Sequence, residues 1–320
     1  MELTEVMRFL SPAIEKQNKI LPVLSHIRIT QGYAIAYNGM LAMAAPISLP
    51  LTCTPNGLLL EKAVERFGNE FSATQKPNGD LFFKGGGFSV TIPCTTDEFP
   101  MPNFDGQPAT AGKGLLDKLK KLLPFTLRSE DDPWMGTILL REGNAIATCG
   151  HTLAWMPVDM VAGVELAIPA DAAKAMVELK EEPEYLARSQ DRFVAIYSGG
   201  RFMSCPLVHT GWPKTDNLVR PQTVGPIPAG LWDAVRAVRP FTLPGENSGT
   251  FYLLDDAVAS DRNGIGARME VPGLVGGLCW YYPSVKLIEK HATGVRLEGR
   301  FGGWAGDGIQ GRMRFGTIEK

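Results

Sequence analysis

Cys149 and His151 are the residues in this chain whose types and spacing come nearest to a reactive pair. A thiol beside an imidazole is the core of a nucleophilic site, because the ring takes the proton that sulfur must lose. Residues two apart on a strand point to the same side, and Ala145-Ile146-Ala147-Thr148 leading into Cys149 reads as strand. No accompanying acid or oxyanion hole is identifiable, so a Cys-dependent hydrolase is the weakest of the readings kept here. Gly306-Asp307-Gly308-Ile309-Gln310-Gly311 spells GxGxxG, but only nine residues follow it. A dinucleotide fingerprint must open a helix inside a βαβ unit, so this segment is expected to be a glycine-rich hairpin turn. Gly85-Gly86-Gly87 lacks the Gly-Lys-Ser/Thr ending of a phosphate loop and also reads as a tight turn.

Metal and cofactor chemistry find no foothold. The four histidines lie far apart and make no HExxH-type spacing, and the five cysteines form no CxxC pair. No metal and no cofactor are expected. An odd, scattered set of cysteines suits a reducing compartment, and the start Met1-Glu2-Leu3-Thr4-Glu5 lacks the basic opening of a signal peptide. No apolar run reaches the length of a membrane span. The expected location is cytoplasmic, with no membrane partner.

The remaining chemistry is cationic. The 320 residues carry a net charge of −2, with 44% apolar and 21% charged residues, an ordinary globular composition. The basic residues gather on helix-like stretches: Lys19; Lys118, Lys120 and Lys121; Arg236 and Arg239; Lys286 and Lys290. With their own acids counted, those stretches are net positive and the strands and loops net negative. A basic concavity attracts phosphate even on an acidic molecule. The competing reading is a set of solvated helix faces.

The elements that position these residues repeat. Gly32-Tyr33-Ala34-Ile35-Ala36-Tyr37-Asn38-Gly39-Met40-Leu41-Ala42 is answered about 112 residues later by Gly143-Asn144-Ala145-Ile146-Ala147-Thr148-Cys149-Gly150-His151-Thr152-Leu153-Ala154. Ala257-Val258-Ala259-Ser260-Asp261 is a worn third copy. Lys62, Lys174 and Lys286 keep the same register, and Pro124-Phe125-Thr126-Leu127 recurs as Pro240-Phe241-Thr242-Leu243. Such a period is too long for a solenoid unit and has the size of a small domain. Within the middle copy, Gly114–Leu123 spaces leucines helically opposite lysines. Strands over 137–142, 145–148 and 153–158 follow, then a helix over 168–177 and a closing hairpin over 193–205. That order describes an α+β unit with two helices packed on antiparallel sheet. The expected domains are 1–106, 107–220 and 221–320.

Several segments resemble the bacterial DNA polymerase III β subunit family, the β sliding clamps. Lys19-Ile20-Leu21-Pro22-Val23-Leu24-Ser25-His26 resembles the family's Leu-Pro-Ile-Leu segment. Ala147-Thr148-Cys149-Gly150-His151-Thr152-Leu153-Ala154 is similar to its Ala-Thr-Asp-Gly-His-Arg-Leu-Ala signature. Gly211-Trp212-Pro213 matches Gly-x-Phe-Pro, and Met313-Arg314-Phe315 resembles the Met-Arg-Leu ending. The resemblance implies a divergent, non-catalytic member with three tandem clamp-type domains, the DNA clamp fold. It implies a homodimer ring around double-stranded DNA, held without regard to sequence. It also implies a pocket for short peptides of DNA polymerase and clamp loader, walled by Thr148, Gly150, His151, Thr152, Leu153, Pro213, Leu218, Ile309 and Met313. Trp134 and Met135 are candidates for its rim, and Phe241 and Leu243 for the dimer interface. Cys149 stands where the family has Asp and Thr152 where it has Arg, and Gly316–Lys320 runs past the usual end. The alternative is a clamp-fold scaffold or decoy that binds replication proteins without encircling DNA.

Overall fold

Two hairpins built on one plan anchor the first half of the chain. In the computed structural model, Ile27–Thr30 pairs with Tyr33–Tyr37, and Thr137–Arg141 lies beside Asn144–Thr148. Both turns are two residues long with positive φ at each: Gln31 48° and Gly32 78°, Glu142 49° and Gly143 73°. This is the primed turn whose twist matches the flanking strands. The middle turn is thus Glu142–Gly143, one residue earlier than the Gly143–Asn144 turn expected, and Asn144 opens the next strand. The structure describes residues 2–16, 18–68, 70–111, 113–161, 163–208, 211–242, 249–263, 265–299 and 301–317.

Six α-helices are seen among the described residues: α1 Leu3–Leu10, α2 Gly57–Phe67, α3 Leu116–Leu122, α4 Ala170–Leu179, α5 Leu231–Val238 and α6 Tyr282–Ile288. Their starts and stops follow local chemistry. Asn56 caps α2 by accepting the Leu59 N–H at 3.1 Å. Pro169 precedes α4, which ends on Lys180 in the left-handed region. Ile168 belongs to the Glu165–Pro169 strand rather than to the expected helix. Pro124 ends α3 in a single 3-10 turn, Leu123–Phe125. Lys62, Lys174 and Lys286 all sit on α-helices with exposed side chains, on α2, α4 and α6, whose apolar residues are buried. The glycine-rich segments are turns as expected: Gly86–Gly87 joins Leu81–Gly85 to Phe88–Ile92, and Asp307–Gly308 joins Phe301–Gly306 to Ile309–Arg314.

By internal contacts the chain forms two compact units. The first comprises 1–120, 140–143 and 158–209, the second 121–139, 144–157 and 210–320. In the first unit a seven-stranded sheet joins Ile27–Thr30, Tyr33–Tyr37 and Ala42–Pro46 to Arg201–Pro206, Arg192–Tyr197, Tyr185–Arg188 and Gln107–Ala111. A separate three-stranded sheet, Ser72–Gln75, Leu81–Gly85 and Phe88–Ile92, packs Phe67, Phe71 and Phe83 together. Phe9 of α1 meets Tyr197 edge-on at 5.2 Å, and burial pushes the Tyr197 phenol well above its ordinary pKa.

In the second unit one sheet carries, in order, Asn144–Thr148, Thr152–Pro157, Ile309–Arg314, Phe301–Gly306, Gly294–Arg296 and Gly225–Pro226. A second sheet orders Arg268–Glu270, Ala257–Ala259, Thr250–Leu254, Leu278–Tyr281 and Gly316–Thr317. Trp280 is the centre of its core, within ring contact of Trp232, Phe251 and Phe315. Phe125 stacks on Trp304 at 5.5 Å. The pairings are antiparallel and the helices few, an α+β architecture.

Candidate nucleic-acid and partner interfaces

The predicted DNA-contact cations divide by what already holds them. Lys121 at the end of α3 forms an ion pair with Asp307 at 3.0 Å and donates to its carbonyl. Arg236 on α5 is bound by Glu289 and Asp233. Lys118 donates to the Gly114 carbonyl at 2.8 Å, and Arg239 lies 4.1 Å over the Tyr282 ring. Lys19, Lys120, Lys286 and Lys290 are exposed, and none of them has an ion pair among the described residues; Lys19 lies in a bend beyond the Ser11–Ala13 turn, not on a helix as expected. Within the second unit the structure brings the end of α3, the 307–308 turn and the end of α6 together. His291 feels Asp307, Lys121 and Lys290 at once, and burial holds its pKa below the ordinary histidine value. Sequence reading missed Asp307 and Glu289 as counter-ions, because nothing local links residues so far apart in the chain.

The expected thiol–imidazole pair takes a different form. The strand ends at Thr148 and resumes at Thr152, so Cys149, Gly150 and His151 make a turn and the same-side argument lapses. The Cys149 N–H donates to the Thr152 carbonyl at 3.1 Å, and Gly150 has φ 85°. Thr148 Oγ donates to that carbonyl at 2.9 Å and accepts the Gly150 N–H at 3.1 Å. The Cys149 thiol faces the same carbonyl at 3.8 Å, and the His151 ring lies 5.2 Å from Tyr281. The thiol has a backbone contact and the imidazole an aromatic neighbour, which is turn architecture.

The predicted pocket wall gathers, but not on one face. Thr152–Pro157 pairs with Ile309–Arg314 so that Thr152 opposes Met313 and Leu153 opposes Arg312. Opposed residues share a face and successive residues alternate. Leu153, Thr148 and Arg312 therefore lie on one side of the sheet. Thr152, Ile309 and Met313 lie on the other, with Trp304 and the 3-10 turn that follows α3. Ile309 and Met313 are fully buried and Thr152 is 1% exposed. These three lie in the core, as do Thr148 and Leu153, 6% and 7% exposed on the other side, so burial does not separate the two sides of the expected wall. Leu218 does belong near Leu153: its carbonyl accepts Arg312 Nε at 3.2 Å. Gly150, His151 and Pro213 are exposed. Trp134 packs against Trp212 at 5.1 Å, whose indole donates to Thr137 Oγ at 2.7 Å. Met135 lies under Gly150. Phe241 is exposed, while Leu243 and residues 318–320 of the tail lie outside the described residues.

No family model and no curated protein matches this sequence. Solved structures do match, over nearly the whole chain. The Caulobacter crescentus pol III beta superimposes with a TM-score of 0.76 at 15% identity, covering 99% of each chain. A DNA polymerase sliding clamp from Pseudomonas aeruginosa gives 0.73 at 15% identity, again over 99% of each. The DNA polymerase III beta chain of Streptococcus pneumoniae gives 0.73 at 13% identity, over 99% of this chain and 97% of that one. The chain has the sliding-clamp fold. Few residues are shared, so it is a divergent example of that fold. Among the described residues no helix is long and apolar enough to cross a membrane, and no group of three metal-ligating side chains is present.

Proposed function

We propose that this protein is a processivity clamp: three tandem domains per chain, closing as a homodimer around duplex DNA and tethering a DNA polymerase through short peptides. The observation that carries this reading is the end-to-end match to sliding clamps with neither chain left over. The cations support it. Lys120, Lys286 and Lys290 lie on or beside α3 and α6, exposed, with no acid of the described residues drawn onto them. Contacts of lysine to phosphate carry no sequence information, as sliding requires. Such a protein acts by topology, so no catalytic group is needed, in keeping with Cys149 and His151 forming a turn.

Ring closure has support in open sheet edges. Phe88–Ile92 ends one sheet of the first unit and Arg268–Glu270 ends one of the second. Phe88 is 44% and Met269 38% exposed on these edge strands. Unpaired edges of this kind are templates for pairing with another chain, and a head-to-tail dimer uses both kinds of edge.

Retention on DNA tests the reading. Protein loaded on a nicked circle should stay through gel filtration and leave once the circle is cut. Equal loss from circle and linear DNA, or a strict monomer by light scattering, would overturn it. Partner-peptide binding without retention would instead identify the scaffold alternative.

A further inference from the structure

Cys53 and Cys94 meet at the seam between the two sheets of the first unit, where residues 53–56 run from one sheet to the other. On one side Cys53 exchanges backbone hydrogen bonds with Ile29 of the seven-stranded sheet, donating at 3.1 Å and accepting at 2.9 Å. On the other side Pro55 lies opposite Cys94, just beyond Phe88–Ile92 of the three-stranded sheet. The Thr95 N–H donates to the Thr54 carbonyl and the Asn56 N–H to that of Pro93, both at 3.0 Å. Residues two apart on an extended segment share a face, as do opposed residues of an antiparallel pair. Cys53 and Cys94 therefore point into the same space. Their thiols share a hydrogen bond, and the Cys94 thiol also faces the Ile92 carbonyl at 3.8 Å. Cys53 is 4% exposed, whereas Cys94 is only half-buried. The other cysteines are dispersed: Cys149 in its turn, Cys205 on Arg201–Pro206 and Cys279 on Leu278–Tyr281.

We propose that Cys53 and Cys94 form a redox-sensitive staple: a peroxide converts the dithiol to a disulfide that ties the three-stranded sheet to the seven-stranded one. Cys94, the more open of the two, reacts first. Its thiolate attacks one peroxide oxygen, the O–O bond breaks, and the departing hydroxide takes up a proton as water, leaving a sulfenic acid. The Cys53 sulfur then gives up its proton and attacks the sulfenic sulfur. The S–S bond forms, the S–O bond breaks and a second water leaves. The two thiols lose two electrons and two protons, and the peroxide ends as two waters. Burial raises both thiols above their ordinary pKa, which slows the reaction near neutrality. Arg28, which donates to Thr54 Oγ at 3.0 Å, partly offsets this at Cys53, while Asp80 adds to it at Cys94. In a reducing compartment the pair stays dithiol. Once closed, the bond encloses α2 and all three strands of the small sheet, including the open edge Phe88–Ile92. The inference concerns the first unit alone and stands apart from the clamp reading.

The test uses the full chain, reduced, desalted and treated overnight with hydrogen peroxide in mildly alkaline buffer. Remaining thiols are then alkylated in denaturant and the peptides mapped by mass spectrometry. The Cys53 and Cys94 peptides should appear joined, lighter by two hydrogens, and dithiothreitol should separate them. The urea midpoint followed by circular dichroism should rise by up to about 1 M, the constraint expected for a loop of this size, and should return on reduction. Cys94→Ser should abolish both the link and the rise, and Cys149→Ser should keep both. Cys94 found as sulfinic acid with no link, either cysteine joined to a different partner, or the pair still reduced after treatment overturns the proposal. These outcomes are read on the unmodified protein, so no variant has to fold. A link that leaves the midpoint where it was, or lowers it, overturns the hold of one sheet on the other.

Discussion

The turn at Asn38 and the turn at Cys149 have one backbone and two means of holding it. In the first, the Asn38 N–H donates to the Leu41 carbonyl at 3.1 Å; in the second, the Cys149 N–H donates to the Thr152 carbonyl at 3.1 Å. Gly39 and Gly150 follow with φ 94° and 85°, a region costly for a residue with a Cβ. Leu24 lies under Gly39 as Met135 lies under Gly150. The side chains then diverge. Asn38 Oδ1 accepts the N–H groups of Met40 and Leu41, at 3.1 and 2.8 Å, a local Asx device. In the third copy Asp261 Oδ1 makes the first of these bonds, accepting the Asn263 N–H at 2.7 Å. Cys149 cannot accept in this way, and the hydroxyl of the preceding Thr148 replaces it. A repeated fold keeps the geometry of its turns while the residue that secures them moves by one position.

That comparison can be broken in several ways. The largest effect is expected from Asn38→Ala, which removes the two acceptor bonds of Oδ1 and the donation from Nδ2 to the Pro12 carbonyl at 3.3 Å, and should cost about 1–2 kcal/mol in urea unfolding. The residue before it cannot take over, because the Tyr37 hydroxyl is engaged elsewhere, donating to the Gly39 carbonyl at 2.7 Å. Thr148→Val should cost about 1 kcal/mol, since it removes the hydroxyl that secures the second turn. Cys149→Ala should cost under about 0.5 kcal/mol, and a loss equal to that of Asn38→Ala would end the distinction. Cys149→Asp restores the Asx acceptor and should add a few tenths of a kcal/mol at neutral pH; a loss would show that the second turn resists it.

The smallest effect near neutrality comes from the cysteines. Burial pushes the Cys53 and Cys205 thiols up to about 12 from an ordinary 9.0. The folded state therefore keeps protons that the unfolded chain releases above pH 9. The stability from these thiols is intact below pH 9 and declines as pH rises from 9 toward about 12. Denaturant titrations across that range should show the decline, and it should shrink in Cys53→Ala/Cys205→Ala. A neutral alkylating reagent at about pH 7.5, below the range where free thiols ionise fully, should label Cys149 before either.

Much of this is legible in the sequence. The repeat period places equivalent lysines on α2, α4 and α6, and sets Asn38, Cys149 and Asp261 at matching turns. The clamp resemblance, carried by short phrases, agrees with the fold over the whole chain. What fails is the side of a strand. Sequence reading groups Ile309 and Met313 with Leu153 because both segments belong to one site, but a pairing register shifted by one residue exchanges the faces. The opposition of Leu153 to Arg312 arises only when strands far apart in the chain meet.

The clasp between Lys121 and Asp307, and that of Arg236 with Glu289 and Asp233, bears on how ionic strength would govern the grip on a duplex. Each lysine or arginine that displaces a condensed counterion adds about 0.9 to the steepness of a log–log plot of affinity against salt. Cations already spent on carboxylates of their own chain displace none. If the proposed clamp encircles DNA, the plot should therefore be shallower than a tally of basic helix residues suggests, with contacts carried by mobile ions instead of fixed pairs.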